Sequence, residues 1–188
     1  EREFFVVFDR VEATRPEFRR HFMLHVPTEP EVKGNLLNWL SLPEAEGDRQ
    51  VLSQGRSRMF MRTLLPGAAD IVKRGGPGQE AWGHPLEKTA QYNHATEGRT
   101  KPPLCPWRIE VGDPGTEPRT LFLHLFEIAA ERAQQPTDAR LIAPAGVAIG
   151  DRWQVRFNAD GPLGGAVGEK SLATTIKTEA QYESRRQR

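Results

Sequence analysis

Residues 119–128, Arg-Thr-Leu-Phe-Leu-His-Leu-Phe-Glu-Ile, constrain the fold more than any other stretch of this chain. A strand turns successive side chains to opposite faces. Here both parities are apolar: Leu121, Leu123 and Leu125 on one, Phe122, Phe126 and Ile128 on the other. Such a strand has no face to offer water, so it belongs at the centre of a sheet, between two layers.

Most of the remaining sequence also reads as strand. Phe4–Val11 is rich in β-branched and aromatic residues. In Phe18–Val26, Phe18, Phe22, Leu24 and Val26 share one parity, and Arg19, His21, Met23 and His25 the other. That alternation predicts a half-buried strand, and the short polar link between the two runs predicts a hairpin. Gly34 and Asn35 argue against a helix over Glu31–Leu42, where a single strand is expected. Pro43–Asp48 reads as a turn and Arg49–Gln54 as a short strand. Ser57–Leu65, Trp107–Val111, Arg140–Ile149, Arg152–Ala159, Leu163–Val167 and Leu172–Lys177 follow as strands, with glycines near several boundaries. Ala129–Asp138 is a polar connection with room for a helical turn.

Short strands punctuated by turn signals predict an all-β, antiparallel, supersandwich-like β-sandwich. The sandwich is expected over residues 1–177, with one long irregular loop, Gln79–Pro106, and a polar, frayed tail over 178–188. Loops of that length in compact domains are often functional. The chain opens inside an apolar strand-like stretch, Glu3–Phe8. This reads as a boundary or processing point of a longer protein, whose upstream part is expected to carry a signal and a further domain.

The charge balance narrows the function classes. With 26 basic and 25 acidic residues among 188, the net charge is +1, without the basic footprint of a general nucleic-acid binder. No apolar run approaches the roughly 20 residues of a membrane span. The lone Cys105 cannot form an intramolecular disulfide or, by itself, a structural zinc site. Three basic clusters (Arg15, Arg19, Arg20; Arg56, Arg58, Arg62; Lys73, Arg74) have the charge to meet an anionic glycan, although such clusters are more often solvated faces. Gly75-Gly76-Pro77-Gly78 lacks the Lys-Ser/Thr ending of a phosphate-cradling loop. Its glycines are expected to permit a tight turn or the close approach of another backbone.

Several segments, taken in order, resemble the C-terminal part of the heparinase II/III-like polysaccharide lyases. They are Phe5-Val6-Val7-Phe8-Asp9-Arg10-Val11; Phe22-Met23-Leu24-His25-Val26 followed by Glu29-Pro30; Thr63-Leu64-Leu65-Pro66; Gly75-Gly76-Pro77-Gly78-Gln79-Glu80-Ala81-Trp82; Trp107-Arg108-Ile109-Glu110-Val111; and Phe122-Leu123-His124-Leu125-Phe126. The resemblance runs to about Lys177. It implies a bacterial, secreted or periplasmic parent in which an upstream α/α toroid precedes stacked antiparallel sheets, and which cleaves uronic-acid-containing glycans, glycosaminoglycans among them, by β-elimination. It also implies that the toroid supplies most reacting groups, and that a His-rich motif early in the sheet region supplies a histidine and metal ligands. That motif does not occur in this sequence, so no catalytic residue or metal ligand is carried over to it. No cofactor is expected in this chain, while the resemblance implies zinc or calcium in the parent. Ala81 stands where the family often has a large aromatic residue.

β-Elimination needs a base at the C5 proton, an acid at the leaving oxygen and neutralisation of the uronate. The residue types for such contacts gather in the long loop: Trp82 to stack on a sugar ring, His84, Tyr92 and His94 to exchange protons or hydrogen-bond, and Arg99, near Lys101, to meet a carboxylate. Their ordinary reading is loop and packing residues. His21 and His25 lie on one strand face four residues apart, roughly 13 Å at Cα, a wide spacing for a shared metal, which would need a carboxylate such as Asp9 or Glu29 to join them; solvent-facing histidines are the commoner case. His124 is expected to be a hydrogen-bonded core histidine. Trp39, Trp107 and Trp153 are expected mainly as core. The competing reading is a non-catalytic carbohydrate-binding or partner-binding sandwich module.

Overall fold

The computed structural model describes residues 2–15, 17–41, 56–79, 83–85 and 105–172. Among them there is no helix; the chain is all-β, in antiparallel sheets. It divides into two compact units, Glu1–Asp138 and Ala139–Arg188.

The first unit is a sandwich. Its larger sheet has five strands in the order β1 (Glu3–Glu12), β8 (Arg119–Ala130), β5 (Ser57–Leu65), β4 (Leu36–Ser41), β3 (Glu31–Lys33). Its smaller sheet has three, β2 (His21–Val26), β7 (Trp107–Gly112) and β6 (Asp70–Arg74). The two close on a core of Val26, Ile109 and Val111 from the smaller sheet and Leu37, Trp39, Met61 and Phe126 from the larger. As its composition requires, β8 is paired on both edges and buried at both parities: Phe122, His124 and Phe126 on one face, Leu123, Leu125 and Glu127 on the other.

Two expectations about connectivity are corrected. β1 and β2 do not form a hairpin: β1 pairs along its whole length with β8, and β2 pairs with β7 in the other sheet. The link between them carries the chain from one layer to the other. The strand expected over Glu31–Leu42 is two strands folded back on each other. Lys33 faces Leu36 across a two-residue Gly34-Asn35 turn, with Gly34 at φ 58°. Asn35 then fills the irregularity where β5 shifts register between Thr63 and Leu65: its Nδ2 donates to the Thr63 carbonyl at 2.9 Å, and its own carbonyl accepts from Thr63 N–H at 2.9 Å. The polar stretch after β8 forms a turn, in which Ala133 N–H donates to the Ala130 carbonyl at 2.9 Å, and not a helical turn.

The second unit is an antiparallel five-stranded meander, β9 (Ala139–Ile142), β10 (Gly146–Ile149), β11 (Trp153–Phe157), β12 (Gly165–Val167) and β13 (Lys170–Leu172). The single strand expected over Arg140–Ile149 is therefore a hairpin, broken at Ala143-Pro144-Ala145. Proline has no N–H for the ladder, so the break falls there. The turn Pro43–Asp48, the strand Arg49–Gln54 and the tail 178–188 lie outside the described residues.

Candidate functional site

Strand parity makes one face of the small sheet apolar and the other polar. Phe22, Leu24, Ile71, Ile109 and Val111 turn inward. The outer face is laid out by register in three rows: His21–Gly112–Asp70, Met23–Glu110–Val72 and His25–Arg108–Arg74. The outward histidines and Met23 are exposed, Met23 at 60%.

At the Arg108 end of this face, Glu110 accepts from Arg74 Nε at 3.0 Å and from Arg108 Nη2 at 2.6 Å. Partial burial pushes the Glu110 carboxyl up, but the hydrogen bonds and charges of the two arginines outweigh it and hold the group below the usual carboxylate range. One carboxylate between two guanidiniums leaves a surplus of positive charge. Partial burial and Arg108 together lower the pKa of His25. His84 is exposed at this end, its neighbour Gly83 lying against Arg74 (a Cβ there would be 3.1 Å from the Arg74 Cβ). Of the loop residues singled out from the sequence, His84 alone is described; Trp82, Tyr92, His94 and Arg99 lie outside the described residues.

The glycines before the long loop have a packing role. Gly75, at φ 150°, and Gly76, at φ 86°, lie on the Trp107 indole, and a Cβ at Gly75 would come within 2.6 Å of the ring. Lys73 Nζ sits 5.6 Å from the centroid of the same indole. The Gly75–Gly78 turn is thus held to β7 by a tryptophan that has room only for hydrogen. Replacing Gly75 by alanine is expected to cost about 1–3 kcal/mol through overpacking and the unfavourable φ, read as a lowered urea midpoint; an unchanged midpoint would mean the turn is not held there.

At the other end, His21–Gly112–Asp70 borders a cavity of about 370 Å³. Gly112 has no side chain, and the His21 ring occupies the space beside it, 3.2 Å from where a Cβ would lie. Beneath, Arg20 is buried, 4% exposed, and donates from Nη2 to Asp113 Oδ2 at 3.3 Å and to the Gly115 carbonyl at 2.7 Å. Asp113 also accepts from Thr120 Oγ1 and from Gly115 N–H, the latter at 2.9 Å. Burial pushes the Asp113 carboxyl up, but the bonds from Thr120, Gly115 and Arg20 outweigh it and lower its pKa. Sequence reading missed this group, because Arg20 and Asp113 stand far apart in the chain and neither belongs to a motif.

Comparison with protein-family models and with curated proteins returns no match to this chain.

The basic clusters are largely committed to local partners. Arg56 pairs with Glu131 at 3.3 Å, Arg58 donates to Asn38 Oδ1 at 2.8 Å, and Lys73 pairs with Glu29 at 2.6 Å. That last contact occupies Glu29, one of the two alternative carboxylates for a metal site on His21 and His25, and Arg108 places a positive charge beside His25. Among the described residues, no three His, Cys, Asp or Glu side chains gather as a metal site. No helix among the described residues is long and apolar enough to cross a membrane. Trp39 is core, 6% exposed, and Trp107 is packed beneath the glycine turn, whereas Trp153 is half exposed on β11. Cys105 is half-buried, and burial pushes its thiol pKa up.

Proposed function

We propose that this chain is the C-terminal β-sheet part of a heparinase II/III-like polysaccharide lyase, structural and cleft-supporting, whose parent cleaves uronic-acid-containing glycans by β-elimination. The observation that supports this reading is the order of the family-like motifs and the elements they occupy: Phe5–Val11 in β1, Phe22–Val26 in β2, Thr63–Leu65 closing β5, Gly75–Gly78 in the turn on Trp107, Trp107–Val111 as β7 and Phe122–Phe126 in β8. The outer face of the small sheet, with its paired arginines at the end where His84 and the long loop emerge, is the surface this reading turns toward an acidic glycan. An upstream α/α toroid supplies the base and acid in the parent, which is secreted or periplasmic.

The test is an elimination assay on heparan sulfate and alginate, following the ultraviolet absorbance of the unsaturated uronate product. The 188-residue chain alone is expected to yield no product, and the longer protein to yield it. Turnover by the chain alone, or a longer protein without a toroid or elimination activity, overturns the reading.

A further inference from the structure

The outer face of the small sheet carries a charge arrangement that the stability of the sheet does not favour. Arg74 on β6 and Arg108 on β7 are direct cross-strand partners, and His25 faces Arg108 from β2 on the other side. Like charges placed directly opposite each other in a sheet are destabilising. Glu110 offsets only one of the two positive charges, and it does so through a single oxygen: Arg74 Nε and Arg108 Nη2 both donate to its Oε1. The two guanidiniums therefore converge on one point and leave a net positive charge there. The core does not require this, since residues of the other parity, Ile71, Ile109 and Val111 among them, form the inner face. Where a protein breaks a local rule with no structural gain, a functional site is the expected place.

The pair is also held ready. The stem of Arg74 lies against Gly83, which has no side chain to displace it. Its Nε is fixed by Glu110, while Nη1 and Nη2 have no hydrogen bond among the described residues. The side chain is 46% exposed, so the free end of the fork faces solvent. Fixing a long side chain beforehand lowers the entropy that binding would cost. The geometry of a guanidinium selects its partner, because the planar fork matches a planar carboxylate with two parallel hydrogen bonds. The adjacent row, Met23–Glu110–Val72, sets two apolar side chains beside the arginines, with Met23 largely in water. A sugar acid offers the same two features side by side: a carboxylate at one corner of a ring whose C–H face is apolar.

We propose that Arg74 and Arg108 form a subsite for the carboxylate of one uronate residue, with Met23 and Val72 against the C–H face of its ring. The subsite rests on the glycan-directed reading above and deepens it, assigning the acidic group of the glycan to two named arginines.

The test is an NMR titration of the full chain with a galacturonic tetrasaccharide, a neutral cello-tetrasaccharide and a sulfated carrageenan tetrasaccharide that has no uronate, following the Met23 methyl, the His25 ring protons and the Nε–H signals of Arg74 and Arg108. The galacturonic saccharide is expected to give saturable shifts at these positions, and the neutral one none. Arg74→Gln is expected to weaken binding about tenfold or more, the loss of one charge-assisted contact. Its melting temperature is expected to stay unchanged, because a like-charge pair is relieved as an ion pair is lost. Arg152→Gln, which removes the same charge from an exposed position of the second unit, is expected to leave binding as it is. No saturable shift with the galacturonic saccharide, equal binding of the neutral one, preference for the sulfated one, or equal weakening by Arg74→Gln and Arg152→Gln overturns the proposal. Because the titration reads binding by this chain and the elimination assay reads turnover by the longer protein, either reading can fail while the other stands.

Discussion

Lowering the pH from about 6.5 to about 4 is expected to remove roughly 3 kcal/mol of folding stability through His124 alone. The ring is fully buried on β8, tilted against Phe22 at 4.2 Å between centroids and flanked by Phe122 and Phe126 at 6.1 and 6.4 Å. Its one hydrogen bond runs between Nδ1 and Thr63 Oγ1, at 3.2 Å, and Nε2 has none among the described residues. Burial among aromatic rings disfavours the imidazolium and lowers the pKa from 6.5 to about 4. Because the folded-state value is the lower one, the unfolded chain binds the proton first. Stability is therefore complete above the unfolded pKa, falls as the pH drops through the window between the two values, and levels off below the folded pKa. Glu110 and Asp113, whose carboxyls are held low, lose their contributions only further down, below the usual carboxylate pKa. Urea midpoints measured at several pH values should thus show a slope between about pH 6.5 and 4.5 that is largely removed in Thr63→Val/His124→Leu, whatever the absolute stability of that variant, leaving the smaller slope of exposed His25, whose pKa is also lowered. An equal slope in wild type and variant would rule out His124 as its source.

Reading the sequence succeeded where a constraint was local. β5 and β7 were legible from alternation and bounding turns, and β8 from the absence of any polar face. His124 was legible as a core histidine, since its strand neighbours Leu123 and Leu125 leave no wet face. Pairing was not legible in the same way. Nothing in Phe4–Val11 says whether its partner is the next strand or one more than a hundred residues on, because period-two patterning fixes a face and not a neighbour. The Gly34-Asn35 hairpin was legible in principle, since Gly-Asn between two strand-like runs is a two-residue turn signal; the leucines at 36, 37 and 40 equally suit a helical face or one longer strand. The cavity was beyond reach. Its parts come from the chain before β2, the start of β6 and the turn after β7, and only the register His21–Gly112–Asp70 brings them to one place.

Glu127→Ala is expected to destabilise the first unit by about 3–5 kcal/mol, the cost of breaking a buried charge pair from its buried side. Glu127 lies on β8, its side chain 2% exposed, between its cross-strand partners Phe4 and Phe60. Three contacts justify a carboxylate there: Arg2 Nη1 donates to Oε1, Thr137 N–H donates to Oε2 at 2.7 Å, and Thr137 Oγ1 bonds to Oε1 at 3.3 Å. Arg2 in turn donates to the Gln135 carbonyl at 3.1 Å and to Thr137 Oγ1 at 3.2 Å. One buried glutamate therefore ties the residue before β1 to the segment that follows β8, two stretches with no strand pairing of their own. Removing the carboxylate strands the Thr137 N–H and leaves a void beside β8. Removing the arginine does less, because its side chain is 38% exposed and water already shares its charge; Arg2→Ala should cost about 1–2 kcal/mol. The pair is coupled, so Arg2→Ala/Glu127→Ala should be destabilised by less than the sum of the two single changes. Urea denaturation of the four proteins supplies the cycle. A Glu127→Ala cost below about 1 kcal/mol, or strict additivity in the cycle, would show that Glu127 is not the clasp described.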